Sequence, residues 1–273
     1  MPSSESTGAG RGFLWFVVIA NAVLGGFVLG LSLAMLVARG QSTWSVPAAL
    51  LGVAVGLGWV GLGSVGFHRT YLHRAPQDGR SVTTQPVDGV PALVLPWRST
   101  LLLLPMLTVA FLVLVLVGVA AALLRDGNGG AWLVVVLAAL LALLLPDTVL
   151  RAARDPRVVL TAQGIGARGW DGDAWLDWDD VASAELVNAG QFTLVRFHGA
   201  PGAPSWRWSR RRRFLVAPQP RAPWIDVPAP ALDIDAGWFA GIVLYYAHTP
   251  SARAEIGGDV SRRRLVEHLD PRT

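Results

Sequence analysis

Residues 101–150 read LLLLPMLTVAFLVLVLVGVAAALLRDGNGGAWLVVVLAALLALLLPDTVL, and this stretch decides the fold of the chain. Two apolar runs, 101–124 and 131–145, flank the polar turn 125–130, and Pro146 follows the second run. The first run contains no charged residue. At about 1.5 Å per residue it is long enough to cross a hydrocarbon core of about 30 Å. The stretch therefore predicts a hairpin of two transmembrane helices.

The composition also indicates a membrane protein. Hydrophobic residues make up 52% of the chain and charged residues 15%, against about 25% charged residues in typical soluble domains. All 23 basic residues are arginine, as in proteins of GC-rich bacteria, and the absence of cysteine excludes disulfides, thiolate zinc sites and cysteine nucleophiles. The formal charge of +4 is spread over both halves of the chain. A nucleic-acid partner is therefore not expected.

The N-terminal part predicts a second pair of membrane helices. After a polar cytoplasmic tail at 1–12, apolar runs cover 13–38 and 46–67, and the first is too long for the apolar region of a cleaved signal peptide. Small residues recur every four positions in both runs, a spacing that lets helices approach closely in lipid. These candidate helix-packing residues are Ala22, Gly26, Gly30, Ala34, Ala48, Gly52 and Gly56. Packing of the first helix on the second fits this pattern, and so does a homodimer seam.

Arginines in the short loops predict the orientation of the helices. One side of the membrane receives eight of them and the other receives two. The larger set is Arg11, Arg69, Arg74, Arg80, Arg98, Arg151, Arg154 and Arg157, and the smaller set is Arg39 and Arg125. Because arginine is enriched in cytoplasmic loops, both termini of this multi-pass protein are expected in the cytoplasm of a bacterium, below its inner membrane.

The cytoplasmic loop 68–98 contains a predicted β-hairpin at 81–96. Asp88-Gly89 separates two β-forming runs there, which is a strong signal for a two-residue hairpin turn. An isolated hairpin is marginally stable in water. We therefore hypothesise that the membrane hairpin 99–150 is inserted within a single domain, whose first strands precede it.

The C-terminal part of the chain changes to short β-like runs separated by turn residues. These runs are 158–160, 165–168, 175–178, 181–187, 192–197 and 224–227. A Pro- and Arg-rich loop at 199–221 is followed by an amphipathic helix at 236–248, for which Asp235 is the expected N-cap. The pattern predicts an antiparallel sheet or small barrel in a domain at 151–257, with a short helix or tail at 258–273.

Two segments of this domain resemble the pleckstrin-homology-like domains of uncharacterised actinobacterial membrane proteins. They are VVLTAQGI at 158–165 and LDWDDV at 176–181. In that family, a stretch of the form W-x-D-I/V lies where one strand turns into the next. The closing segment of such domains is similar to Tyr245, Tyr246, Pro250, Arg253, Glu255 and Gly257 of this chain. The resemblance covers 157–257 and implies a β-rich fold closed by a helix, without a catalytic residue.

The sequence contains partial matches to motifs for nucleotide and metal binding, but none of them indicates a functional site. The matches to G-x-G-x-x-G at 61–66 and 164–169 lie inside an apolar helix and before a turn, so neither opens a helix that could hold a phosphate. An acidic cluster is formed by Asp171, Asp173, Asp177, Asp179 and Asp180. It departs from the EF-hand order at Trp175 and Leu176. The five histidines lack metal-site spacing, and no nucleophile elbow occurs. We predict no catalytic residue, no cofactor and no metal.

The most distinctive surface stretch is WRWSRRRRF at 206–214. Its candidate contacts to anionic lipid are Trp206, Arg207, Trp208, Arg210, Arg211, Arg212 and Arg213. Each arginine near an anionic leaflet contributes about 1 kcal/mol of binding free energy, and tryptophan favours the lipid interface. The alternative is a solvated basic loop that only follows the charge bias of cytoplasmic segments.

The predicted protein is therefore an α+β membrane protein. It has four transmembrane helices and a cytoplasmic antiparallel β-barrel or sheet, pleckstrin-homology-like, closed by a C-terminal helix. Its predicted function is non-enzymatic, as a membrane-anchored module that binds anionic lipid, a protein partner or both. The alternatives are a small transporter or an accessory subunit of one, which the lack of ionisable residues in the apolar cores disfavours, and, more distantly, an enzyme.

Overall fold

A computed structural model describes the residues 8–37, 46–67, 78–98, 100–170, 172–189, 192–210, 220 and 222–267. The chain forms two compact units, and each of them is discontinuous in sequence. The first unit combines 1–73 with 104–145, and the second combines 74–103 with 146–273. Two strands and the start of a helix thus belong to the same unit as the C-terminal domain.

The first unit is built on apolar helices. The helices of the chain up to residue 152 are α1 (Gly8–Val37), α2 (Val46–Phe67), α3 (Thr100–Arg125), α4 (Ala131–Ala142) and α5 (Leu144–Ala152). Two stretches are long and apolar enough to cross a membrane, Met106–Arg125 and Ala131–Arg151, with mean hydropathies of 2.9 and 2.6. The described parts of α1 and α2 contain only the shorter apolar stretches Ala22–Val37 and Ala49–Val65. The described residues therefore give two candidate spans where the sequence predicted four.

The second candidate span consists of two helical segments. α4 ends at Ala142 and α5 begins at Leu144, with Leu143 between them in helical backbone conformation. Pro146 accounts for the break, because it has no N–H to donate to the Ala142 carbonyl and its ring crowds that carbonyl. The predicted helix 131–150 is thus present with a local interruption near its end.

The helices expose large apolar side chains. Phe27 in α1, Leu114 in α3 and Leu133 in α4 are 67%, 70% and 74% exposed. Leaving apolar surface in water costs about 25 cal/mol per Å². Faces of this kind are suited to contact with lipid or with another apolar surface.

The packing of α1 on α2 uses a different face of α1 from the predicted one. A Cβ atom added to Gly56 would lie 2.9 Å from the Leu29 Cβ, and one added to Gly52 would collide with the side chain of Ser32. Gly26 and Gly30 have no atom within 4 Å of such a Cβ. The predicted stripe Ala22, Gly26, Gly30 and Ala34 is exposed, and the side chain of Ala48 lies outside the described residues.

The reason for this difference is that α1 carries small residues on more than one face. Gly25, next to the predicted stripe, approaches α2 so closely that an added Cβ would lie 2.6 Å from the Val60 side chain. Close helix contact needs small residues somewhere in the interface. It does not specify which of two neighbouring glycines is used.

The hairpin predicted at 81–96 is present. β1 (Thr83–Val87) and β2 (Val90–Pro96) pair antiparallel around Asp88 and Gly89. These two residues have φ values of 51° and 81°, which is the left-handed geometry that a two-residue hairpin turn requires. Glycine adopts it without steric cost, and aspartate tolerates it better than most residues.

The hairpin belongs to a six-stranded antiparallel sheet with the strand order β1-β2-β3-β4-β5-β8. Its further strands are β3 (Arg157–Thr161), β4 (Gly164–Arg168), β5 (Gly172–Asp177) and β8 (Arg207–Arg210). β2 pairs with β3 from Ala92 opposite Thr161 to Pro96 opposite Arg157. The helices α3 to α5 are therefore inserted between two neighbouring strands, as the hypothesis from the sequence required.

Three further strands form a second antiparallel sheet in the order β6-β7-β9. They are β6 (Val181–Ala189), β7 (Phe192–Gly199) and β9 (Trp224–Pro228). Of the two predicted arrangements, the antiparallel sheet is confirmed and the closed barrel is wrong, because β8 pairs with β5 at the edge of the first sheet and the two sheets do not close on each other. β8 also corrects the prediction of an irregular loop at 199–221, of which 211–219 and 221 lie outside the described residues.

The core lies between the two sheets and α6 (Ala236–His248). Its largest buried side chains include Trp178, Phe197, Phe239 and Tyr246. The backbone N–H of Trp238 donates to Asp235 Oδ1 at 2.7 Å, so the predicted N-cap of the closing helix is confirmed.

The C-terminal helix α7 (Asp259–Val266) holds the segment before β1. Arg262 Nε donates to the Val82 carbonyl at 3.0 Å. A Cβ added to Gly79 would lie 2.8 Å from the Val266 side chain, so the two segments pack closely. The first and last parts of the second unit are thereby joined directly.

A fragment of residues 155–267 should fold poorly. It lacks β2, so β3 is left with an unpaired edge, and Leu93 and Leu95, which are almost completely buried, are lost from the core. Each of these side chains contributes about 1.5–3 kcal/mol by burial, against a total domain stability of about 5–15 kcal/mol. Joining 78–98 to 155–267 by a soluble linker should restore cooperative unfolding in urea, followed by circular dichroism.

A version of this linked fragment with the sequence of 78–98 scrambled is the control. An equal free energy of unfolding for the short and linked fragments would show that the β1–β2 hairpin is not a necessary part of the folded domain.

Candidate functional site

One end of the six-stranded sheet connects directly to the two candidate spans. Pro96 ends β2 shortly before α3 begins, and Arg157 starts β3 shortly after α5 ends. Because Pro96 is paired with Arg157, both connections leave from the same end of the sheet. The register continues through Arg168 and Asp173 to the last residue of β8, Arg210, at that end.

Arginines are concentrated at this end. The set that we call the basic end consists of Arg98, Arg151, Arg154, Arg157, Arg168 and Arg210. The described aspartates in the same segments are Asp147, Asp155 and Asp173, so the described arginines outnumber them six to three. Strands in a sheet lie about 4.8 Å apart, which separates β2 from β8 by about 19 Å. The arginines of the described segments therefore extend over about 19 Å at this end of the sheet.

Ion pairs between arginines of this set and described aspartates have N–O distances from 2.8 to 3.1 Å. The pairs are Arg154–Asp173, Arg151–Asp147 and Arg157–Asp155. Arg154 is the best anchored, since its Nη1 also donates to the carbonyl oxygen of Trp170 at 3.2 Å. Asp155 is 69% exposed, and an exposed pair of this kind adds little to stability. The pairs orient the arginines, and the excess of positive charge remains.

Two tryptophans pack against each other at the connection from β2 to α3. The rings of Trp97 and Trp170 meet edge to face, with centroids 5.1 Å apart. The Trp97 backbone N–H donates to the Pro156 carbonyl at 2.8 Å, and that of Arg98 donates to the Ala231 carbonyl at 3.0 Å. The chain is therefore held in a fixed path until two residues before α3.

The predicted lipid-contact stretch runs along β8 to the basic end. Arg207 and Arg210 are exposed, whereas Trp206 packs against the core and Trp208 is half-buried. The Trp208 ring lies 3.1 Å from where a Cβ on Gly172 would be, so this tryptophan packs on β5. The remaining predicted contacts, Arg211, Arg212 and Arg213, lie outside the described residues and follow Arg210 directly in the sequence.

The sequence alone does not indicate that β8 lies at the same end of the sheet as Arg98, Arg154 and Arg168. These residues are far apart in the chain, and only the register of β2, β3, β4, β5 and β8 brings them to one end of the sheet. A usable signal was present in the arginines that flank the span 101–150 on both sides. Without knowledge that β2 pairs with β3, these arginines could be interpreted only as an indication of how the predicted helices are oriented in the membrane.

The acidic cluster has structural partners. Asp177 Oδ1 accepts from Trp175 Nε1 at 2.7 Å, and Asp179 pairs with Arg253 at 2.8 Å. Asp180 Oδ2 accepts from both the backbone N–H and the hydroxyl of Ser205. Asp173 binds Arg154, as described above, and Asp171 lies outside the described residues. No group of three or more potential metal ligands occurs among the described residues.

The W-x-D-V segment at 178–181 joins three parts of the domain. Trp178 is buried and donates from its indole Nε1 to the Thr161 carbonyl at 2.8 Å. Its two aspartates connect to the loop before β8 through Ser205 and to the C-terminal segment through Arg253. A structural role therefore accounts for this segment.

Residues at the end of α6 and in the segment that follows it form a second network. The Tyr246 hydroxyl donates to Glu255 Oε1 at 2.9 Å, and Arg264 donates to the same oxygen at 2.8 Å. Burial raises the pKa of the Tyr246 hydroxyl well above its usual range, and the hydrogen bond to Glu255 raises it further. The hydrogen bond to Glu255 also raises the pKa of Arg264. Arg253 donates to the Tyr246 and Ala247 carbonyls at the end of α6.

The other motifs considered in the sequence also occupy structural positions. His198 lies 2.7 Å from Glu185 across β6 and β7, and His248 Nδ1 lies 2.8 Å from the Leu244 carbonyl within α6. The histidines His68, His73 and His268 lie outside the described residues. The glycine-rich stretch 164–169 forms β4 and leads into β5, and 61–66 lies in α2. Neither stretch opens a helix.

Comparison with known proteins gives no match. No protein-family model, no curated protein and no solved structure matches the chain.

Substitution of Asp180 by alanine should destabilise the second unit. It removes the acceptor of both the Ser205 backbone N–H and the Ser205 hydroxyl, and such losses cost about 1–3 kcal/mol. Asp155→Ala is the matched control, because its exposed ion pair should change the free energy of unfolding by no more than about 0.5 kcal/mol. Urea unfolding of the linked fragment measures both. Equal effects of the two substitutions would contradict the structural role of Asp180.

Proposed function

We propose that the chain is a non-enzymatic binding module, held in a bacterial inner membrane, whose basic end docks on anionic lipid headgroups. The supporting observation is the location of the arginines, at the end of the sheet from which both candidate spans leave. A leaflet that contains anionic lipid has a negative surface potential, and each nearby arginine contributes about 1 kcal/mol. The run Arg211 to Arg213, which continues from β8, adds three further positive charges.

The proposed membrane arrangement has four spanning helices and both termini in the cytoplasm. α1 and α2 contain 30 and 22 residues, which corresponds to about 45 and 33 Å at 1.5 Å per residue. Both lengths exceed a hydrocarbon core of about 30 Å. The pairing of Pro96 with Arg157 supports a hairpin for α3 to α5, because its two ends meet on one side. The arginine bias of the loops supports the cytoplasm as that side.

The pleckstrin-homology-like assignment is part of the proposal. Two antiparallel sheets followed by a helix that closes the core support it. The strand that β8 adds to the first sheet and the membrane helices inserted between β2 and β3 are departures from a minimal domain of that kind. The assignment implies a binding role and no catalytic residue.

Cysteine labelling in intact cells should test the topology. The chain contains no cysteine, so single substitutions report one site each. Ser42→Cys, between the first two helices, should react with a membrane-impermeant maleimide. Ser251→Cys, at an exposed position after α6, should react only after the cells are lysed. Labelling of Ser251→Cys in intact cells would contradict cytoplasmic placement of the second unit.

The linked fragment should bind vesicles of phosphatidylglycerol and not vesicles of phosphatidylcholine. Replacement of all four arginines at positions 210–213 by glutamine should weaken this binding by about a hundredfold or more. The reason is that each of the four arginines contributes about 1 kcal/mol. Binding should also fall as the salt concentration rises. Co-sedimentation with vesicles measures all three effects.

The matched control compares two single substitutions of exposed arginines. Arg210→Gln should weaken co-sedimentation, and Arg263→Gln, on α7, should leave it unchanged. The proposal fails if both substitutions have the same effect, because binding would then follow total charge and not the basic end.

A further inference from the structure

A cavity of about 470 Å³ opens in the second unit beside the start of α3. Its polar lining comes from Asp78, Arg80, Ser81, Trp97, Arg98 and Asp233. The volume is in the range of small-molecule binding sites, about 300–1,000 Å³. Arg98 lies two residues before the first residue of α3, so the cavity is next to the start of that helix in the sequence.

The cavity offers donors suited to a phosphate. Trp97 is 7% exposed, and its indole Nε1 is buried without a hydrogen-bond partner among the described residues. Leaving such a donor unsatisfied costs about 1–3 kcal/mol, and a ligand oxygen would remove that cost. The guanidinium groups of Arg80 and Arg98 supply charged donors, which form the stronger hydrogen bonds to phosphate oxygens.

The cavity also contains two carboxylates, which are in different situations. Asp78 is engaged with its neighbour, because Arg80 Nε lies 2.9 Å from its Oδ2 and the Arg80 backbone N–H donates to its Oδ1. Asp233 is 7% exposed, and its Oδ2 accepts the Ser81 backbone N–H at 2.8 Å. The described residues form no ion pair with Asp233. A buried carboxylate is stabilised by a cation at hydrogen-bond distance.

We infer that this cavity binds the phosphoethanolamine headgroup of a membrane lipid. The phosphate lies toward Arg98 and the indole N–H of Trp97, and the ammonium lies toward Asp233. The lining carries two arginines and two aspartates, so its formal charge of zero matches a zwitterionic headgroup. A headgroup with a net negative charge would leave the Asp233 carboxylate without a cation. The inference rests on the proposed function in that α3 must place the cavity at a lipid leaflet.

The experiment uses the full chain in a mild detergent, titrated with dihexanoyl lipids and followed by calorimetry. Dihexanoyl phosphatidylethanolamine should bind about tenfold more tightly than the phosphatidylglycerol or the phosphatidylcholine of equal chain length. The choline headgroup has the same charges as ethanolamine but no N–H to donate to Asp233. Free phosphoethanolamine should bind more weakly than the lipid, which separates a membrane source from a soluble one.

Two substitutions assign the binding to this cavity. Asp233→Asn keeps an acceptor for the Ser81 N–H and should abolish the preference for ethanolamine over choline. Arg98→Gln should weaken all phosphate-containing ligands together. Arg263→Gln, an exposed arginine that does not line the cavity, should leave the affinities unchanged.

Equal affinities of the unmodified chain for the three lipids would overturn the inference, and so would an ethanolamine preference that survives Asp233→Asn. The lipid comparison needs no variant, so it is decisive even if a substitution prevents folding. If it fails while vesicle binding still depends on Arg210, the proposed function stands and only the cavity is wrongly assigned. If vesicle binding fails while the ethanolamine preference holds, the cavity is correctly assigned and the proposed docking of the basic end is wrong.

Discussion

The pairing of β2 with β3 is the constraint on which the rest of the second unit depends. It joins two strands that are neighbours in the sheet but are separated in sequence by α3, α4 and α5. Backbone N–H and C=O groups in the middle of a sheet have to be paired, so we expect the hairpin and the C-terminal domain to be stable only together. The helices α3 to α5 are an insertion within this folded unit, and both ends of the insertion are joined to adjacent strands.

This constraint also explains how charge is gathered in one place. In membrane proteins generally, arginines are enriched in the cytoplasmic segments that flank a spanning hairpin. Here the ends of the hairpin are neighbouring strands, and the sheet continues from them to β8. Arg98, Arg168 and Arg210, which are far apart in sequence, consequently lie at one end of one sheet. The partly buried ion pair of Arg154 with Asp173 fixes part of this surface, whereas β8 presents its arginines at an exposed edge.

Features encoded by local signals could be predicted from the sequence. The apolar runs, the Asp88-Gly89 turn and the Asp235 cap each depend on a few neighbouring residues, and the structure shows the hairpin and the closing helix at the predicted positions. β8 was missed because the residues 207–210 lack β-branched side chains, and their extended form comes from pairing with β5. The face of α1 that contacts α2 could not be identified from the sequence because Gly25 and Gly26 are equally small, and only contact with α2 distinguishes them.

The candidate site was predictable only in part, because it depends on contacts between segments that are distant in the sequence. The basic stretch of β8 is visible in the sequence as composition, but its position at the end of the sheet where α3 to α5 are inserted depends on the register across five strands. The cavity beside α3 combines Asp78, Trp97 and Asp233, which no local pattern connects. The acidic residues Asp179 and Asp180, which were considered and rejected as part of a calcium site in the sequence, join segments of the domain.

Hydrogen exchange on the full chain tests the central claim most directly, since amides in one cooperative unit open with one free energy. Val94 and Leu95 in β2 should be protected to the same degree as Val158 and Val159 in β3, because each strand supplies the hydrogen bonds of the other. Urea should lower the protection of both strands in parallel. Rapid exchange in β2 while β3 remains protected would contradict the view that α3 to α5 interrupt a single domain.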